Sequence, residues 1–176
     1  MAMNEKDYYE AVQNWFRKEK SCQPLGVDYK FENLRLLTGD IVAQSGPDIY
    51  ACEIKKYPYP LGSQGYGAIG QALALKRVAN YVYVGCIATE ISEHITYTWQ
   101  KASSVATTKK LLDYLGLAVP QSYDSYKEVV RIIFNTFFED LGIGFLVVHE
   151  AKDPLTEEIT REVHELVEPE YNQLTK

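Results

Sequence analysis

Near the start of the chain, apolar residues return at helical spacing, at Tyr8, Val12, Trp15 and Phe16. They predict a helix from Asn4 to about Lys20. The stripe stops there: the next position on that face is Glu19, and Arg17–Lys20 reads as a solvated last turn. Cys22–Gly26 (CQPLG) breaks the helix. Residues 27–44 carry β-rich segments, the second clearest from Arg35 to Gln44, and Ser45–Asp48 (SGPD) is a turn signal. Ile49–Tyr57 is a third strand that alternates in its centre. Pro58–Gly67, rich in Pro, Gly and Tyr, reads as a loop, Ala68–Asn80 as a helix, and the continuous apolar run Tyr81–Ala88 as a buried strand.

Residues 89–122 have a weaker pattern, mostly helical, with Lys109–Leu117 the most convincing part. Tyr126–Gly142 is a strong helix ended by its glycine. Ile143–Glu150 is a buried-type strand, Ala151–Glu158 a turn, and Arg161–Glu168 a short closing strand. The order is helix, three strands, helix, strand, helix, strand. It predicts an α/β fold with a mixed central β-sheet flanked by helices.

The 176 residues suit one domain spanning 1–176, large enough to bury most of its apolar surface. With 46% hydrophobic and 24% charged residues and no long apolar run, the chain predicts a soluble protein with no membrane span. Cys22, Cys52 and Cys86 are odd in number and far apart, which points to a reducing cytoplasm. The net charge of -6 counts against a generic basic nucleic-acid binder. It does not exclude a metal-dependent nuclease, whose site needs acids. His94, His149 and His164 are scattered, and no Gly-x-Ser-x-Gly, P-loop or dinucleotide fingerprint is present. Gly65–Gly70 (GYGAIG) lacks the Gly-Lys-Ser/Thr ending of a P-loop.

Candidate chemistry gathers between Thr38 and Lys56, where Asp40 and Asp48 precede Glu53-Ile54-Lys55. With the turn centred on Gly46-Pro47, residue 44 faces 49 and Asp40 stands opposite Glu53. With proline at its favoured second turn position, Asp40 faces Lys55 and lies diagonal to Glu53. Either register keeps Asp40, Glu53 and Lys55 on one face, because side-chain direction has period two. Facing β-carbons lie about 4.5–5.5 Å apart, so two carboxylates there could share a divalent cation. Asp48 is at the turn, roughly 17 Å of strand away from Glu53, where its side chain has a local job. The competing reading is the solvated face of an amphipathic hairpin. Against it, the face also carries Val42 and Ala51, and opposed acids repel unless a cation or a lysine offsets them.

At these residues the sequence resembles the PD-(D/E)xK nuclease superfamily, which includes restriction endonucleases and archaeal Holliday-junction resolvases. The family pattern is an acid on a strand, a turn, then Glu/Asp-x-Lys on the next strand. Here it reads GDIVAQSGPDIYACEIKK, with Gly39-Asp40 in place of Pro-Asp. The resemblance covers about residues 4–88, a helix, a three-stranded meander, a helix and a strand. It implies a restriction-endonuclease-like core, a helical insertion over 89–122, and a helix with peripheral strands over 123–168. It further implies that Asp40 and Glu53 bind Mg²⁺ or Mn²⁺ and that Lys55 positions the attacking water in hydrolysis of DNA. Glu5, on the first helix, and Gln71, on the apolar stripe Ala68, Leu75, Val78, match positions where relatives carry a glutamate and a glutamine near the metal. Lys56, Tyr57, Tyr59, Gln64 and Tyr66 would overhang the site and contact nucleic acid. Lys76 and Arg77 would extend that patch. A homodimer suits two-strand cutting. The alternative is a catalytically silent module that keeps the fold to bind nucleic acid or a partner.

Overall fold

The computed structural model describes residues 5–31, 37–55, 63–88, 138–152 and 155–174. A 3-10 turn, Glu5–Tyr8, leads into helix α1, Tyr9–Glu19, so the α-helix starts later than its apolar spacing suggests. Its buried stripe is Tyr9, Val12 and Phe16, with Tyr8 buried just before it. The helix ends as the chain turns out through a left-handed residue. The amides of Lys20 and Cys22 both donate to Phe16 O, at 3.2 and 3.1 Å, and Ser21 adopts a left-handed φ of +53°.

Six strands follow: β1 Gln23–Lys30, β2 Thr38–Ser45, β3 Asp48–Lys55, β4 Tyr81–Ala88, β5 Gly144–Lys152 and β6 Ile159–Val167. They form one sheet in the order β1-β2-β3-β4-β5-β6. The first three run as an antiparallel meander, β4 and β5 lie parallel to β3, and β6 closes antiparallel to β5. This is the expected α/β class with a mixed sheet. The segment expected only to break the helix is part of β1. Pro24 is tolerated there because β1 is an edge strand, and the register shifts between Pro24 and Gly26. The closing strand begins two residues before the predicted Arg161.

The β2–β3 hairpin settles the two registers left open above. Ser45 pairs with Asp48 and Gln44 with Ile49, so the turn is Gly46-Pro47 alone. Gly46 has a φ of +58°, as the first position of a two-residue primed turn requires. Such a turn matches the twist of its strands, which outweighs the preference of proline for the second turn position that Gly46–Ile49 would have given it.

Helix α2, Ser63–Leu75, crosses from β3 to parallel β4. It begins five residues before the predicted start, taking Ser63, Gln64, Gly65, Tyr66 and Gly67 from the expected loop, and its last expected turn is not helical. It covers one face of the sheet. Ala68, Ile69, Ala72 and Leu75 pack there with Val42, Ala51, Val82, Val84, Cys86, Phe145 and Val147. On the opposite face, α1 packs Tyr9, Val12 and Phe16 with Ile41, Ala43, Cys52, Ile54, Tyr83 and Leu146. Residues 138–141 are helical and close at Gly142, φ +60°. The rest of that expected helix, and all of 89–122, lie outside the described residues.

Asn80 was not anticipated. It is 5% exposed and pins the start of β3: its Oδ1 accepts the Ile49 amide at 2.9 Å, and its own amide donates to Ile49 O at 2.8 Å. Asn80 Nδ2 donates to Asn172 O at 3.2 Å, and the Asn172 amide returns to Asn80 O at 2.8 Å. The end of the chain is thereby tied to the α2–β4 corner.

Candidate active site at the end of strand β3

The pairing of β2 with β3 runs from Ser45–Asp48 to Ile41–Cys52. Beyond it β3 is still held by β4, as far as Lys55–Cys86. The Ile54 amide, left without a main-chain partner from β2, is taken by the Asp40 carboxylate: Ile54 N donates to Asp40 Oδ2 at 2.8 Å. The strands part, and a side chain fills the gap.

Alternation slips at this point. A β-carbon built on Gly39 would lie 2.8 Å from Val42 Cγ2 and 3.6 Å from Leu75 Cδ2, on the α2 face, whereas Ile41 packs on the α1 face. Strict period two therefore does not hold across Asp40. Its carboxylate sits where β2 leaves the sheet, within reach of the β3 main chain and of Tyr9 on α1. Any side chain at position 39 would collide with Val42, so the residue before the acid has to be small.

Glu53 is 1% exposed and is the only buried charged side chain among the described residues. Lys55, two positions on along the strand, sets its Nζ 2.5 Å from Glu53 Oε1 and 4.0 Å from Asp40 Oδ2. Both acids thus face one ammonium, which gathers the two carboxylates at the end of β3. Burial pushes the Glu53 carboxyl up to about 7; the hydrogen bond from Lys55 opposes this, and the charges of Asp40 and Glu5 add to it. For Lys55, burial works downward, but the hydrogen bond and charge of Glu53, helped by Asp40 and Glu5, hold the ammonium above its ordinary value. Burial raises the Tyr9 hydroxyl as well, with the Asp40 charge next in weight.

Of the residues singled out in the sequence, Asp40, Glu53 and Lys55 are brought together by direct contacts. Glu5, on the 3-10 turn, is close enough for its charge to act on Glu53, Lys55 and Tyr9. Asp48 is the first residue of β3, at the turn and at the other end of the strand. Gln71 is exposed. The buried stripe of α2 runs through Ala68, Ala72 and Leu75 and leaves Gln71 on its flank, a correction to its expected place on that stripe. Lys76 Nζ donates to Leu141 O at 2.9 Å and Gly142 O at 3.5 Å, and Arg77 is exposed beside it. Both follow the C-terminal end of α2, at the corner that leads into β4 and so at the opposite end of β3 from Lys55. Lys56, Tyr57 and Tyr59 lie outside the described residues, as do the side chains of Gln64 and Tyr66.

Tyr9 is the site residue that the sequence did not suggest. Its only signal was adjacency to Tyr8 in an apolar stripe, which marks packing rather than chemistry.

Chemically the arrangement is a half-buried cluster in which two carboxylates, Asp40 and Glu53, face one ammonium, and the charge of Glu5 acts on both Glu53 and Lys55. The imbalance favours a further cation or a proton. The donors fit Mg²⁺, which takes one or two carboxylates and keeps several waters. Among the described residues no group of three or more His, Cys, Asp and Glu side chains is set to enclose a metal ion. Two protein ligands with water completing the sphere is what remains.

Among the described residues, no helix is long and apolar enough to cross a membrane. Comparison of this chain with protein-family models, with curated proteins and with solved structures finds no match.

Proposed function

We propose that the protein is a metal-dependent nuclease of PD-(D/E)xK type that hydrolyses DNA phosphodiester bonds. One observation carries the reading: the nearly inaccessible Glu53 and the strand-end Asp40 meet at the Lys55 ammonium, 2.5 and 4.0 Å away. The element order supports a restriction-endonuclease-like core. It is a helix, an antiparallel meander, a crossover helix and a fourth strand parallel to the third.

Asp40 and Glu53 would hold Mg²⁺ or Mn²⁺, which when bound supplies the Lewis acid that acidifies water and offsets phosphate charge. Lys55 orients the attacking water and stabilises the negative charge that develops on the phosphate. The Ile54 amide fixes the Asp40 carboxylate, so the acid is positioned before substrate arrives. Glu5 contributes a third carboxylate from the other side of the strand end. In-line attack would leave a 5′-phosphate, as the resemblance implies.

A second reading, a catalytically silent module that binds nucleic acid or a partner, is favoured by the net charge of -6. It is also favoured by the lysine that already bridges both acids. The purified protein, incubated with plasmid, single-stranded and branched DNA and titrated with Mg²⁺ or Mn²⁺, separates the two. Cleavage lost in Asp40→Ala and Glu53→Ala but kept in Asp48→Ala is the expected result. DNA bound and left intact by every variant would establish the silent module instead.

A further inference from the structure

The two edges of the sheet are built differently. On β1, Pro24 has no amide to offer, the register shifts between Pro24 and Gly26, and Asp28 takes a left-handed φ of +46°. These are the devices that keep an edge strand from pairing with another chain. On β6 they are missing over most of its length. Ile159–Glu165 is regular against β5, without proline, glycine, lysine or a positive φ; the one irregularity falls past it, at Leu166. Among the described residues no strand pairs with the outer side of β6, and Arg161, Glu162 and His164 are exposed.

The exposed order of charges is self-complementary. The segment reads Arg161-Glu162-Val163-His164-Glu165. A second copy laid antiparallel about an axis through Val163 sets Arg161 against the partner's Glu165 and Glu162 against the partner's His164. Valine meets valine at the centre, and each charged pair occurs twice. The faces agree as well. Arg161 and Glu165 both lie on the α1 side, where Arg161 covers the Tyr8 ring at 4.8 Å, and the half-buried Glu165 accepts the Tyr83 hydroxyl at 2.9 Å and pairs with Lys20 at 3.1 Å, leaving its further lone pairs for a partner's guanidinium. Glu162 and His164 share the other side, 3.7 Å apart. Register is specified too. Moving the axis one residue towards the start of the strand sets Glu162 on its own copy, and like charges directly opposite are destabilising. Arg161 already bonds Glu150 through Nε at 3.1 Å, but a guanidinium has donors for two carboxylates.

We propose that β6 is the contact between two copies of this chain, paired antiparallel about Val163, so that their sheets run into one. The axis reverses strand direction, so the two β3 ends open at opposite margins of the joined sheet, and each site acts alone. The dimer stands whether or not the Lys55 cluster cuts DNA.

Light scattering on the eluting full chain across about 1–100 μM reads the oligomer directly. A dimer is expected at the upper end. His164→Glu places like charges opposite each other twice and should raise the dissociation constant about tenfold or more. Glu162→Lys added to His164→Glu restores opposite charges in reversed order and should return the dimer to within about threefold of the original. Both side chains are exposed, and thermal melts of the monomeric fractions verify that the fold is kept. A monomer at every concentration, a dimer indifferent to His164→Glu, or a double variant without rescue would each overturn the proposal.

Discussion

Asp40 Oδ2 accepts the Ile54 amide at 2.8 Å, at the point where strands β2 and β3 stop pairing. The same carboxylate oxygen faces the Lys55 ammonium at 4.0 Å. Asp40 therefore serves both the fold and the site, and the two roles separate by substitution. Asp40→Asn keeps an acceptor for the amide and should unfold in urea within about 1 kcal/mol of the parent, whereas Asp40→Ala should lose about 1.5–3 kcal/mol. Both should lose metal-dependent cleavage. Loss of cleavage in Ala alone would make the role of Asp40 purely structural.

Glu53 links stability to pH. Its folded carboxyl titrates at about 7, above its ordinary value of 4.5, so folding takes up a proton between those limits. That contribution is fully present below about pH 4.5 and is lost as pH rises through about 7. Without divalent metal, the parent should lose stability from pH 5 to pH 8 relative to Glu53→Gln, by on the order of 2–3 kcal/mol. Mg²⁺ at pH 8 should recover part of it in the parent and none in Glu53→Gln. Parallel melting curves for the two proteins across that range would exclude the linkage.

Tyr8 and Tyr9 are adjacent and should respond oppositely. Among the described residues the buried Tyr8 hydroxyl has no hydrogen-bond partner, and burial pushes it up to about 12, with Glu150 nearby. Tyr8→Phe should be neutral or stabilise by about 1 kcal/mol. Tyr9→Phe withdraws a hydroxyl from Asp40 and should lower cleavage severalfold with little change in melting temperature. Equal effects of the two substitutions on cleavage would remove Tyr9 from the site.

Asn80→Ala leaves the half-buried Ile49 amide unpaired and releases the Asn172 carbonyl from its side-chain partner. A cost of about 2–3 kcal/mol in urea unfolding is expected, with cleavage unchanged at temperatures where the variant stays folded. Asn172→Ala should give a smaller loss, because Asn172 is only half-buried.

Much of this was legible in the sequence because it depends on neighbours along the chain. Periodicity marked α1, and unbroken apolar runs marked β4 and β5. The spacing of Asp40, Glu53 and Lys55 around Gly46-Pro47 allowed two registers, and in both the three residues met. Asp48 could be set aside because a turn aspartate has a local role and a strand of known rise separates it from Glu53.

Tertiary structure decided the rest, for reasons that no local pattern carries. The hairpin register followed from strand twist, which favoured the two-residue turn with Gly46 at positive φ. Pro24 belongs to a strand because β1 lies at an edge, and being an edge is a property of the whole sheet. Gln71 points to solvent because the sheet meets α2 along Ala68, Ala72 and Leu75 rather than along the flank. The electrostatics of Glu53 arise from its near-complete burial and from Asp40, Lys55 and Glu5 arriving on three separate elements. The sequence by itself determined which residues could meet at the end of β3. Packing determined how dry that place is, and so how strongly its carboxylates call for a cation.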